Sequence, residues 1–213
     1  MNLERGKAIL VYGSRNNTES GFSVIELLFS MGLTLVILGV AVAAFSGALG
    51  SRDRESSKTD AITSAQAALN IMTREIGNAG FGLKDQNGLV YTDCTDKRLR
   101  FRANTVNSNG LTNSAGEDVS FYYDTPSQSV VRHDTNANVT SGIINRVSDV
   151  DFIYYNFQPD GSSAPGAAGL NTGRVNITLR VMLADVRGQP TGQTVTVTSD
   201  ITLRNSPYML GQY

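Results

Sequence analysis

The 213-residue chain predicts an α+β protein in which a long N-terminal helix packs on an antiparallel β-sheet. Three observations carry that prediction. An uncharged apolar run occupies Leu27–Leu49, an amphipathic helical pattern continues to about Asn78, and beyond Gly82 the apolar period falls to two. The organisation expected is a polar leader over 1–21, an apolar helix over 22–50, its amphipathic continuation over 51–82, and a β-rich globular domain over 83–213.

The apolar helix comes first. Leu27–Leu49 reads LLFSMGLTLVILGVAVAAFSGAL, 23 residues without a charge. At about 1.5 Å per residue this covers a ~30 Å hydrocarbon core, whereas a secretory h-region needs only about 7–15 residues. The front half of the helix is therefore expected to be transmembrane. Gly32, Gly39 and Gly47 lie within it. Each lowers helix propensity by about 1 kcal/mol relative to Ala, which allows local bending, and each equally allows close helix packing.

Glu26 interrupts an apolar stretch that otherwise begins at Phe22. A carboxylate at a bilayer centre costs roughly 2.5–3.5 kcal/mol, and less near a helix end where it reaches the interface. Two readings stay open: an interfacial glutamate, or a carboxylate that finds a cation inside an assembly. The conspicuous small-residue junction, Ser20-Gly21, precedes the run instead of following it. Cleavage there would make the apolar helix the new N-terminus and the α-amino group of Phe22, on a neighbouring subunit, the natural cation.

Gly21, Phe22, Ser23 and Glu26, followed directly by the run to Leu49, resemble the type IV prepilin and pseudopilin family in order and spacing. The resemblance implies a type IV pilin-like fold, cleavage after Gly21 by a prepilin peptidase, and N-methylation of Phe22. It implies that Glu26 acts in subunit recruitment and register. Partners would be other pilins through their N-terminal helices, the prepilin peptidase/methylase, and an inner-membrane assembly platform. The protein would wait in the bacterial inner membrane with a periplasmic domain, then enter a surface pilus or periplasmic pseudopilus. The segments MTREIGNAGFG (Met72–Gly82), IINRVSDVDFIYYN (Ile143–Asn156) and TLRN (Thr202–Asn205) look most like PilW-type minor pilins or J-type pseudopilins. The expectation is thus a minor pilin that helps initiate or cap a filament. The alternatives are a pseudopilin of a type II secretion system and an anchored periplasmic binding domain that never polymerises. Lys and Arg flank the run about equally (Arg5, Lys7, Arg15 before; Arg52, Arg54, Lys58 after), so these charges choose no membrane orientation.

After Gly50, Ile62, Ala65, Leu69, Met72 and Ile76 form one apolar stripe, expected to pack on a downstream sheet, and Gly77, Gly80 and Gly82 end the helix. Strands are expected at Arg98–Arg102, Val119–Tyr123, Ser129–His133, Val150–Phe157, Arg174–Ala184 and Gln193–Arg204, with a bulge near Ser199-Asp200. Asn104–Asp118 and Pro159–Gly173 read as loops.

Chemistry is thinly represented. A net charge of −1 without a Lys/Arg-rich run gives no phosphate-binding surface, so no nucleic acid is expected. The single cysteine, Cys94, excludes an intrachain disulfide and reads as a small buried hydrophobe. The single histidine, His133, lies between Arg132 and Asp134 and reads as a surface residue. No nucleophile-elbow, P-loop or dinucleotide motif is present, so neither an enzyme nor a cofactor is expected. Asp85-Gln86-Asn87-Gly88 resembles the start of a calcium loop but lacks the full pattern and reads as a turn; Asp85, Asp93 and Asp96 remain weak calcium candidates. Tyr122-Tyr123 and Tyr154-Tyr155 read as strand pairs with one ring in the core and one on the surface.

Overall fold

The computed structural model describes residues 21–84, 86–107 and 109–211. The chain divides into two compact units, the first ending at Ala48 and the second running from Leu49. Helix α1 (Val24–Ile76) contributes to both. In the first unit it is long and apolar enough to cross a membrane and has no buried residue. It runs unbroken through Gly32, Gly39 and Gly47, so those glycines cost propensity without ending the helix.

The second unit holds two four-stranded antiparallel sheets where the sequence suggests one. The strands are β1 (Arg98–Arg102), β2 (Asp118–Asp124), β3 (Ser129–Asp134), β4 (Val139–Ile144), β5 (Val147–Phe157), β6 (Ser163–Gly166), β7 (Thr172–Met182) and β8 (Thr194–Thr202). A short helix, α2 (Pro207–Leu210), follows them. One sheet has the order β1-β2-β3-β4 and the other β6-β5-β7-β8. β4 and β6 are absent from the sequence reading for a physical reason. Both are edge strands exposed on both faces over most of their length, so neither carries the one-sided apolar alternation that marks a strand.

The two sheets and the rear of α1 enclose one core. Ala61, Ala65, Ala68, Leu69, Met72 and Ile76 supply the helix face, meeting Leu99, Phe121, Val150, Ile177, Leu179 and Ile201 among others. Ala61 takes the place expected for Ile62, which lies at the stripe's edge and is half-buried. The stripe begins with the small residues Ala61, Ala65 and Ala68 and ends with the larger Leu69, Met72 and Ile76. Polar contacts fix the same packing. Ala184 N–H donates to Ser57 Oγ at 2.8 Å, the Thr73 and Ser199 hydroxyls lie 3.3 Å apart, and Arg132 Nε donates to Glu75 at 2.8 Å.

β8 contains no bulge. It pairs with β7 without a register break, from Thr194 opposite Met182 to Thr202 opposite Arg174. Val195, Val197, Ser199, Ile201 and Leu203 share one parity, so the Ser199-Asp200 step places a polar residue on the inner face without shifting the pleat. Between the sheets, Lys97 Nζ lies 2.6 Å from both Asp149 and Asp151, and Arg180 NH1 lies 2.6 and 2.7 Å from the same carboxylates. All four side chains are partly exposed, so this quartet orients the sheet junction more than it stabilises it.

Candidate functional site

The residues singled out by sequence meet at the first turn of α1. Ser23 precedes the first helical residue, Val24, and Glu26 stands three positions further on. Ile25 N–H donates to Ser23 Oγ at 3.3 Å, while Ser23 N–H donates to the Glu26 carboxylate at 3.1 Å. These bonds form a variant of the capping box, with the hydroxyl on the second helical amide instead of the third, and they satisfy two of the amides that every helix start leaves without a carbonyl. Its signature, Ser-x-x-Glu before an apolar run, is present in the sequence, yet the sequence reading weighs Glu26 only as an interfacial or intersubunit charge. Phe22 and Leu27 occupy the two positions of a hydrophobic staple.

Around this turn the surface is almost wholly apolar. Phe22 is 88% exposed, and Val24, Ile25, Leu27, Leu28 and Phe29 are each more than half exposed. A Cβ added at Gly21 would meet no atom of the described residues within 4 Å. The remainder of the expected leader, 1–20, and Asp85 lie outside the described residues.

The other candidates resolve into structural roles. Asp93 accepts a 2.6 Å hydrogen bond from Arg100 NH1. Arg100 also forks onto Asp118, Nε to Oδ1 at 2.7 Å and NH2 to Oδ2 at 2.8 Å, and Arg102 Nε reaches Asp118 Oδ2 at 2.8 Å. Burial opposes ionisation of Asp118, but the hydrogen bonds from Arg100 and Arg102 outweigh it and hold the carboxyl below the usual range. Asp96 uses its backbone carbonyl, which accepts from Phe152 N–H at 2.8 Å. Among the described residues no three His, Cys, Asp or Glu side chains group to hold a metal ion.

The turn that resembles a calcium loop owes its composition to packing. Asn87 is fully buried, and its Nδ2 lies 2.8 Å from both the Gly169 and Thr172 carbonyls while its Oδ1 accepts from Leu89 N–H. Gly88 has a φ of +79°, and a Cβ there would stand 2.0 Å from Gly80 N. Glycine is required at that contact.

Cys94 packs partly buried against the core, its thiol 3.4 Å from the Arg100 carbonyl. Burial pushes that thiol up, away from the reactive thiolate. His133 is half-buried and shares a 2.8 Å hydrogen bond with Thr140 on β4. The tyrosine pairs divide as the strand pleat requires. Tyr123 and Tyr154 face the core, whereas Tyr122 and Tyr155 carry the guanidiniums of Arg98 and Arg174 at 5.3 and 4.1 Å. Burial raises the Tyr154 hydroxyl, which lies 2.8 Å from the Arg98 carbonyl.

No family model matches the chain, and neither a curated protein nor a solved structure matches it. The fold and the geometry of the first turn define an α+β protein with one long helix whose front portion is suited to an apolar environment.

Proposed function

We propose that this chain is a type IV pilin-like filament subunit, a minor pilin that helps initiate or cap a pilus. The observation that carries the reading is the Gly21-Phe22-Ser23 junction and Glu26 directly abutting an uncharged helix whose apolar side chains are exposed on every face. A single bilayer-crossing helix accounts for the apolar run alone. It does not call for the small-residue junction Ser20-Gly21 placed directly before the run, which removal of a leader would use.

In this reading the leader is removed after Gly21 by a prepilin peptidase, Phe22 becomes the N-methylated terminus, and the subunit waits in the inner membrane with its sheets in the periplasm. Assembly moves the helix from lipid into a bundle of like helices. There Glu26 leaves water altogether, and a neighbouring Phe22 α-amino group compensates its charge. In the separate subunit the same carboxylate accepts from the Ser23 amide, so it is never without a partner.

The test is N-terminal sequencing and intact mass of the protein from membranes of its native host. A chain beginning at N-methylated Phe22 supports the reading, and one retaining the leader overturns it in favour of an anchored domain. Glu26→Gln keeps a capping acceptor but removes the charge, whereas Glu26→Ala removes both. Both variants are expected to be processed normally and incorporated poorly; normal incorporation of Glu26→Gln would reduce the residue's role to capping. The same junction serves pseudopilins, and recovery in sheared surface filaments distinguishes a pilus subunit from a secretion pseudopilin.

A further inference from the structure

Two sheets present four edges, and three of them carry a device that stops another strand from adding. The outer side of β1 is covered by the segment 88–95: Val90 N–H donates to Arg100 O at 2.9 Å, Arg102 N–H to Gly88 O at 2.7 Å, and Thr95 N–H to Arg98 O at 2.7 Å. β6 has only four residues, one of them Pro165. β4 is six residues long, includes Gly142, and its register with β3 shifts between Val130 and Val131. Cover, brevity, proline and irregularity are the means by which natural sheets blunt their edges.

β8 has none of them. It runs nine residues as TVTVTSDIT, in unbroken register, without proline, lysine or arginine. The ladder also fixes which of its groups are free. Leu203 N–H donates to Gly173 O, and Leu183 N–H to Gln193 O, so the odd-numbered residues bond to β7. The backbone N–H and C=O groups of Thr194, Thr196, Thr198, Asp200 and Thr202 therefore point away from the sheet. Among the described residues no hydrogen bond takes them up.

We propose that β8 is a docking strand for an extended segment of a partner polypeptide, which adds antiparallel to it and widens the β6-β5-β7-β8 sheet by one strand. Its chemistry follows from the row it must match. The outward side chains are threonines interrupted by one charge, Asp200, whose carboxylate accepts from Asn176 Nδ2 at 3.1 Å and, among the described residues, forms no salt bridge. The partner segment is thus β-branched and uncharged, except for a Lys or Arg facing Asp200. A second copy of β8 fits less well. Antiparallel self-pairing about Thr198 sets Asp200 against Thr196 and leaves both carboxylates uncompensated. This assignment stands apart from the filament reading, since an anchored, non-polymerising domain would carry the same open edge.

The test uses the full chain in detergent micelles with a synthetic nine-residue peptide of alternating Thr and Val, carrying one Lys placed to face Asp200. Amide hydrogen exchange at Thr196, Thr198 and Asp200 should slow on adding the peptide. Thr198→Pro should weaken binding by about tenfold, the worth of one lost backbone bond. It should leave the thermal midpoint unchanged, because the Thr198 N–H lies outside the β7 ladder. Asp200→Lys should shift preference to the same peptide with Glu in place of Lys, a readout that needs no proline. Unchanged exchange at these amides, or equal binding by Thr198→Pro, overturns the proposal. Concentration-dependent protection without peptide overturns the choice of occupant and makes it a second copy.

Discussion

Along Val24–Ala48 the large apolar side chains of α1 are exposed all round the helix, whereas along Leu49–Ile76 burial is confined to one stripe, half of it alanine. Helix geometry is common to both stretches; the solvent each is suited to is not. A stripe built for the chain's own sheets can be narrow and shaped, because its partners are fixed. An all-round apolar surface suits surroundings without a preferred direction, such as lipid or a ring of like helices. Fully burying a Leu, Val or Phe side chain contributes about 1.5–3 kcal/mol, so the front stretch holds a large stabilisation that the isolated chain leaves unrealised.

Substitutions that treat the two stretches alike should separate them. The largest effect is expected from a charge. Ala65→Asp places a carboxylate in a fully buried position and should abolish cooperative unfolding of the second unit, seen as loss of the near-ultraviolet circular dichroism transition. Leu35→Asp should leave that transition in place while releasing the chain from membranes in carbonate extraction. If Leu35→Asp unfolded the second unit, the division between the stretches would fail. Next comes truncation: Met72→Ala should cost about 2–5 kcal/mol in denaturant unfolding, against less than ~0.5 kcal/mol for Leu38→Ala.

A smaller effect is a pH dependence confined to the second unit. Asp118 is held below the ordinary carboxyl value of 3.8, so it contributes stability that is fully present above that value. That contribution is lost as pH falls through the depressed folded-state value. Stability should therefore decline below about pH 4, and Asp118→Asn should flatten part of the decline. Asp151 and Glu117 are shifted in the same direction, so some slope will persist. The smallest effect concerns the cap. Ser23→Ala should cost about 1 kcal/mol, visible as faster amide exchange in the first turn of α1 alone.

Legibility in the sequence followed the kind of signal each element sends. The apolar run, the stripe and six strands were readable because burial on one face imposes a period on the residues. β4 and β6 were not, since exposed edges impose none. Ile62 was misplaced by one residue because two neighbouring positions fit the same helical period and only the sheets choose between them. The bulge expected at Ser199-Asp200 came from reading polarity as a phase break, when the parity of Val195 through Leu203 is unbroken. At the candidate site the capping box was fully written in Ser23 and Glu26, but the charge drew attention away from the hydrogen bond. Asn87 was legible only as part of a turn, because its partners Gly169 and Thr172 lie more than eighty residues away.

The contact between Thr73 and Ser199 joins positions 126 residues apart. A ribosome adding about 5–20 residues per second needs roughly 6–25 s to travel that far. For all of that interval the stripe from Ala61 to Ile76 exists without the strand that completes its cover. The interval spans many lifetimes of a helix, which forms in about a microsecond, so α1 can be complete long before its sheets. Whatever shields the stripe during those seconds comes from outside the finished fold, and the speed of synthesis becomes part of how reliably this protein is made.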